Sequence, residues 1–114
     1  MQYFYVYFLM NRNRTVLYVG VTNNLERRII EHYQGAQMPG KKSTFTAKYN
    51  CYYCIAYEFY NDPTIAISRE DEIKGWRREK KLQLAESLNP GLNFLNDQIL
   101  GVGWEEIYRI KKGK

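Results

Sequence analysis

Histidine and cysteine are scarce in this chain: one His and two Cys among 114 residues. A zinc site built on Cys51 and Cys54 would need two further ligands, which a single His cannot supply. The same scarcity leaves Ser/His/Asp and Cys/His catalytic triads without support. Long apolar runs are missing too. The longest, Tyr3 to Met10, is about half of what a membrane-spanning helix needs, which excludes that architecture. We read no basic stretch, apolar stretch and small-residue cleavage site at the start, so no secretory signal and a cytoplasmic location are expected. Repeats, low-complexity tracts and linkers are absent, and 114 residues is the usual length of one domain. A disordered chain is excluded by 45% hydrophobic against 25% charged residues.

Two things are in excess. There are 11 Tyr, and 17 Lys plus Arg against 12 Asp plus Glu leave a net charge of +5. A basic, Tyr-rich small domain points weakly to a polyanion such as DNA or RNA. The basic residues are spread in small groups, Arg27/Arg28, Lys41/Lys42 and Arg77/Arg78 among them, and not gathered in a disordered arm.

The pattern predicts two strands, Tyr3 to Met10 and Thr15 to Val21, joined by the polar tetrad Asn11 to Arg14 as a hairpin. Thr22-Asn23-Asn24 then offers caps for a helix from Leu25 to Tyr33, closed by Gly35. A polar loop is expected from Gly35 to Asn50. Its Gly35-to-Lys41 spelling copies most of a phosphate loop, but Lys42 stands where Ser or Thr must bind magnesium. A third strand follows in Cys51 to Tyr60, which would point Cys51 and Cys54 to opposite faces as packed, free thiols. Asn61-Asp62-Pro63-Thr64 starts a long helix to about Leu88, with Gly75 as a weak joint, and Asn89-Pro90-Gly91 stops it. A short helix is read from Trp104 to Ile110. The order β-β-α-β-α-α is α+β: a small three-stranded antiparallel sheet flanked by helices. Residues 1–95 are read as the domain and 96–114 as an extension packing on it or trailing from it.

On the first helix, Leu25, Ile29, Ile30 and Tyr33 form the apolar arc, and Arg28 and His32 share its border, four residues apart. They read either as donors for a phosphate or as an Arg stem over apolar surface beside a half-buried His. On the long helix, Ile65, Ala66, Ile67, Ile73 and Trp76 define an arc that includes Glu70. A carboxylate on such an arc needs compensation, from Arg77, a metal ion or hydrogen bonds. Asp71 and Glu72 read as a solvated face. Glu58 is the only other carboxylate near a strand end, so a glycosidase-type pair finds little support.

Tyr5-Val6-Tyr7, ten intervening residues and Tyr18-Val19-Gly20 together resemble the paired motifs of the GIY-YIG nuclease superfamily. Asn24-Leu25-Glu26-Arg27-Arg28-Ile29-Ile30-Glu31-His32 is similar to its N-L-x-x-R-x-x-x-H helix. Arg69-Glu70 with Ile73-Lys74 and Trp76, and Asn89-Pro90 with Asn93, resemble its metal-carboxylate helix and closing Asn. The likeness covers residues 3 to 93 and looks closest to small stand-alone bacterial members, related to the N-terminal module of the excinuclease C subunit. Tyr5 departs from it, standing where the name-giving Gly would be.

The resemblance implies catalytic roles for Tyr7, Tyr18, Arg28, His32 and Glu70, with Glu70 as ligand to one Mg2+ or Mn2+. Lys41, Lys42, Arg77 and Asn93 are then the candidates for nucleic-acid contact. It implies a metal-dependent endonuclease acting on DNA, with branched or damaged DNA as candidate substrates. Arg28 would neutralise phosphate charge, and Tyr7 or Tyr18 would deprotonate water. The competing readings are a catalytically silent nucleic-acid-binding module of the same fold and an interaction protein with a vestigial site. The tail from Gly101 to Lys114 is too short for a DNA-binding domain, so a homodimer or partner protein is expected to help with specificity.

Overall fold

A computed structural model describes residues 2–40 and 44–110. β1 (Phe4–Met10) and β2 (Leu17–Thr22) form the expected antiparallel hairpin, with Tyr7 opposite Gly20. β2 starts two residues late because the Asn11 carboxamide accepts from the amides of Thr15 and Val16, both at 2.9 Å, holding them in the turn. Asn24 caps α1 (Leu25–Gln37) by accepting from the Arg27 amide. Gly35 does not end that helix: α1 runs through it to Gln37.

The polar loop expected after it contains another helix, α2 (Phe45–Tyr49), capped by the Thr44 hydroxyl. β3 (Tyr53–Tyr60) pairs antiparallel with β1, giving a three-stranded sheet in the order β2-β1-β3. Asp62 and Pro63 start α3 (Pro63–Lys74) as the spelling required. The long helix is in fact two, since the chain breaks at Gly75 before α4 (Arg78–Leu88). Two short helices follow, α5 (Asn96–Leu100) and α6 (Trp104–Ile107), the first of them not foreseen.

Side chains alternate across the sheet and build two cores. Val6, Phe8, Met10 and Val19 face α3 and α4, meeting Ala66, Ile73 and Ala85. Tyr7 and Leu9 face α1, meeting Leu25 and Ile29. Ile65 and Ile67 are exposed, contrary to the helical wheel, because α3 touches the sheet along the narrow stripe of Ala66 and Ile73.

Cys51 lies before β3 starts, so both thiols fall in the α1-side core and not on opposite faces. They are free, and burial pushes Cys51 up to about 11 and Cys54 to about 12, as expected of inert packed thiols.

The segment after Leu95 is tied to the rest. Trp104 is buried with Tyr33 and Tyr53, and the Tyr33 hydroxyl donates to the Glu105 carbonyl at 2.9 Å. Asn96, 2% exposed, accepts from the Cys54 amide at 2.8 Å and donates to the Tyr52 carbonyl at 2.9 Å. No helix among the described residues is long and apolar enough to cross a membrane.

Candidate active site

Strand alternation and helix spacing bring four of the sequence-predicted residues together. Tyr7 and Tyr18 project from the hairpin onto the α1 side of the sheet, and α1 lays Arg28 and His32 against them one turn apart. The ring centroids of Tyr7, Tyr18 and His32 form a triangle of 6.2, 5.8 and 5.5 Å. The Tyr7 hydroxyl lies 2.9 Å from His32 Nε2, and His32 Nδ1 lies 3.0 Å from the Thr46 hydroxyl.

Gly20 makes this packing possible. A Cβ there would stand 2.6 Å from both Cζ and Oη of Tyr7 and 2.9 Å from Tyr18 Cε2. The tips of the two phenols occupy the space that any other residue would fill.

The electrostatics follow from burial. Tyr7, 1% exposed, has its pKa raised first by loss of water and then by Tyr18, against a downward pull from Arg28. It keeps its proton at neutral pH. His32 is pushed down to about 4, by burial first and by the Arg28 charge second, so its ring is neutral. A neutral imidazole donates at one nitrogen and accepts at the other, and its two hydroxyl neighbours can do either. Arg28 loses some stabilisation by burial, but Tyr7 and Glu31 more than restore it, and its pKa ends above the usual value. Its guanidinium also holds Glu31 at 3.0 Å.

Tyr18, Arg28 and His32 line a cavity of about 300 Å³ closed on its far side by Thr44, Phe45 and Thr46. Phe45 stacks on Tyr18 at 6.3 Å. The cavity therefore presents a phenol and a guanidinium, backed by the buried Tyr7–His32–Thr46 chain. A guanidinium can bind an anion and a phenol can give or take a proton; the Glu31 carboxylate, which pairs with Arg28, lines the same cavity. Thr46 was not singled out in the sequence. Its only signal is Thr44, a capping residue two positions earlier.

Glu70 stands elsewhere. It shares a side of α3 with Ala66 and Ile73, whose helix packs on the opposite face of the sheet. Its side chain is 13% exposed and pairs with Lys74 at 3.3 Å. Arg77, the partner weighed from the sequence, is exposed beyond the helix break. Among the described residues no hydrogen bond or ion pair joins Glu70 to the tyrosine cluster, and no three His, Cys, Asp or Glu gather around one point. One hard carboxylate still suits Mg2+, which keeps several waters and takes phosphate oxygens as its other ligands. Lys74 would have to yield Oε2 for that.

Asn93 is exposed, and its carbonyl accepts from the Asn89 side chain at 2.9 Å. Lys41 and Lys42 lie outside the described residues. Asp71 and Glu72 are exposed, as read. Glu58 is held in a two-pronged pair with Arg69, at 2.9 and 3.0 Å, and accepts from the Tyr60 hydroxyl. Burial pushes that carboxyl up, yet Arg69 and Tyr60 bring it below the usual range.

The family model described as the GIY-YIG catalytic domain matches residues 3–83, from before β1 into α4. The chain belongs to the GIY-YIG family. This is a nuclease family. Among curated proteins, this GIY-YIG chain is 37% identical to UPF0213 protein HQ_3675A of Haloquadratum walsbyi over 84 residues, 74% of this chain and 88% of that protein. It is 40% identical to UPF0213 protein CPE1444 of Clostridium perfringens over 83 residues, 73% of this chain and 83% of that protein. No solved structure matches it. Tyr7, Tyr18, Arg28, His32 and Glu70 all lie within the matched span of the GIY-YIG domain.

Proposed function

We propose that this protein is an endonuclease that hydrolyses DNA phosphodiester bonds with one divalent metal ion, Mg2+ or Mn2+. The observation that carries the reading is the meeting of Tyr18 and Arg28 at one cavity, with Tyr7 and His32 buried behind them. Arg28 binds the scissile phosphate and offsets the negative charge that builds on its oxygens. Tyr18, the phenol that reaches the cavity, faces the attacking water and takes its proton. The neutral His32 ring bonds the Tyr7 hydroxyl through Nε2 and the Thr46 hydroxyl through Nδ1, donating to one and accepting from the other. This chain holds the Tyr7 ring in place, and Tyr18 packs against the Tyr7 and His32 rings. By the family motif Glu70 is the carboxylate that would hold the metal, and a metal there would supply positive charge; Glu70 lies across the sheet from the Tyr18–Arg28 cavity, so the chemistry at that cavity is assigned to Tyr18 and Arg28. Arg77, Asn93, Lys41 and Lys42 serve as flanking contacts to DNA.

The Lys74–Glu70 pair favours one other reading, a silent nucleic-acid-binding module in which the ammonium replaces a metal. Incubation of the protein and its Glu70→Gln variant with plain, nicked and branched DNA, with Mg2+ or Mn2+, separates the two. Metal-dependent cleavage lost in Glu70→Gln supports the nuclease. Cleavage by both alike removes Glu70 as the ligand. Binding without cleavage under every metal establishes the silent module.

A further inference from the structure

α1 covers only part of its face of the sheet. Beyond Tyr7, toward the start of β1, the same face continues as Tyr5 and Tyr3, beside Tyr57 and Phe59 on β3. The rings form one strip: Tyr3 to Phe59 at 5.4 Å, Phe59 to Tyr5 at 6.4 Å, and Tyr5 to Tyr57 at 5.8 Å between centroids. Phe59 is 58% exposed and Tyr3 41%. A β-sheet that turns a run of aromatic rings toward water holds a surface far more costly than scattered exposed apolar residues. Its polar counterpart on the opposite face, Glu58 with Arg69 and Tyr60, is fully paired.

Tyr5 and Tyr57 also form one wall of a second cavity, of about 370 Å³, whose other walls carry the amides of Asn23 and Gln98 and the carboxylate of Glu26. Amides and a carboxylate beside ring faces are the groups that read the edge of a base and stack on its plane. The strip continues the strand face that holds the catalytic cluster, with Tyr7 itself buried under α1. Tyr5 is two residues from Tyr7 on the same strand and the same face, about 6.6 Å along it.

From this juxtaposition we infer that the Tyr3–Phe59–Tyr5–Tyr57 strip and its amide-lined cavity bind unpaired bases of a DNA strand whose phosphate lies at Arg28. The inference rests on the nuclease reading and narrows its substrate to DNA with a single-stranded part. In a duplex the bases are already stacked and cannot lie on the rings, whereas an unpaired strand can. The net charge of +5 suits the phosphates that come with those bases. Tyr5 thereby gains a purpose at the position where the family motif has glycine: a ring there makes a stacking surface.

The test measures binding of a fluorescein-labelled 12-nucleotide dT strand and of a 12-base-pair duplex by anisotropy, without metal and at fixed salt. Phe59→Ala is the main variant, since an exposed ring can be removed without harm to the core, with Tyr5→Ser beside it. Sedimentation velocity follows each protein. The wild type is expected to prefer the single strand, and each variant to lose about tenfold in affinity for it while duplex binding holds. Equal affinity for both DNAs, or unchanged binding by Phe59→Ala, overturns the inference and leaves the nuclease reading standing. A dimer that Phe59→Ala dissolves without change in DNA binding also overturns it, assigning the strip to self-association. Tight single-strand binding lost in Phe59→Ala, in a protein that cuts nothing with any metal, upholds this inference while the nuclease reading fails.

Discussion

Replacing Gly20 with alanine tests whether the two phenols are held as tightly as they look. The new methyl carbon would stand 2.6 Å from Cζ and Oη of Tyr7, where carbon atoms normally settle at about 3.5–4.0 Å. The ring tip must therefore retreat by about 1 Å. Tyr7 is 1% exposed, so no space receives it, and overpacking of this kind costs about 1–3 kcal/mol. Gly20 lies in a regular strand opposite Tyr7, so alanine brings crowding and no backbone strain. A 1 Å retreat also stretches the 2.9 Å link to His32 beyond hydrogen-bond range, and such misplacement costs about 100-fold in rate. Urea unfolding should show a lower midpoint with unchanged slope, and the cleavage rate should fall about 100-fold. Wild-type stability together with wild-type cleavage in Gly20→Ala would refute the claim that this close packing positions the site.

Three further outcomes are expected. Asn96→Ala strips partners from the buried Cys54 amide and Tyr52 carbonyl, each worth about 1–3 kcal/mol, so thermal unfolding should report a loss of about 2–6 kcal/mol. His32 is protonated near 6.5 in an unfolded chain and only near about 4 in the fold. The unfolded state thus binds the extra proton between those values, and stability should fall by about 3 kcal/mol as pH drops through that window, with no further loss from this group below it. Chemical unfolding across pH should show a flatter profile for His32→Gln. Arg28→Lys keeps the charge but loses the planar fork, so cleavage should drop at least about tenfold with little change in melting temperature. An equally active lysine variant would reduce Arg28 to a point charge.

The hairpin, the first helix and the shared border of Arg28 and His32 were legible because they depend on local periods, two residues per strand repeat and nearly four per helical turn, whereas Tyr7 and Tyr18 stood out only through the likeness to the family's paired motifs. Asn24 and Asp62 announced their helices for the same reason, each bonding amides two or three residues on. Thr46 was hidden in what read as a polar loop, since a five-residue helix has too few turns to show a period. Of the partners open to Glu70, Arg77 lies beyond a break that one glycine in a helical pattern did not settle, and Lys74, one turn on, takes its place. Ile65 and Ile67 point outward because the contact of α3 is narrower than its apolar arc, a property of the sheet it meets and not of its own spelling. Cys51 misled by one strand boundary: two residues decided which core it entered.

The central claim is that Tyr18 and Arg28 work on one phosphate in a single hydrolytic cavity. The most direct measurement is the single-turnover cleavage rate of Tyr18→Phe against wild type, on the same DNA with saturating Mg2+, with binding measured in parallel. A proton-transfer role gives a fall of at least about 100-fold with DNA affinity unchanged. Cleavage by Tyr18→Phe at the wild-type rate would mean that the phenol at the cavity mouth takes no part in the chemistry.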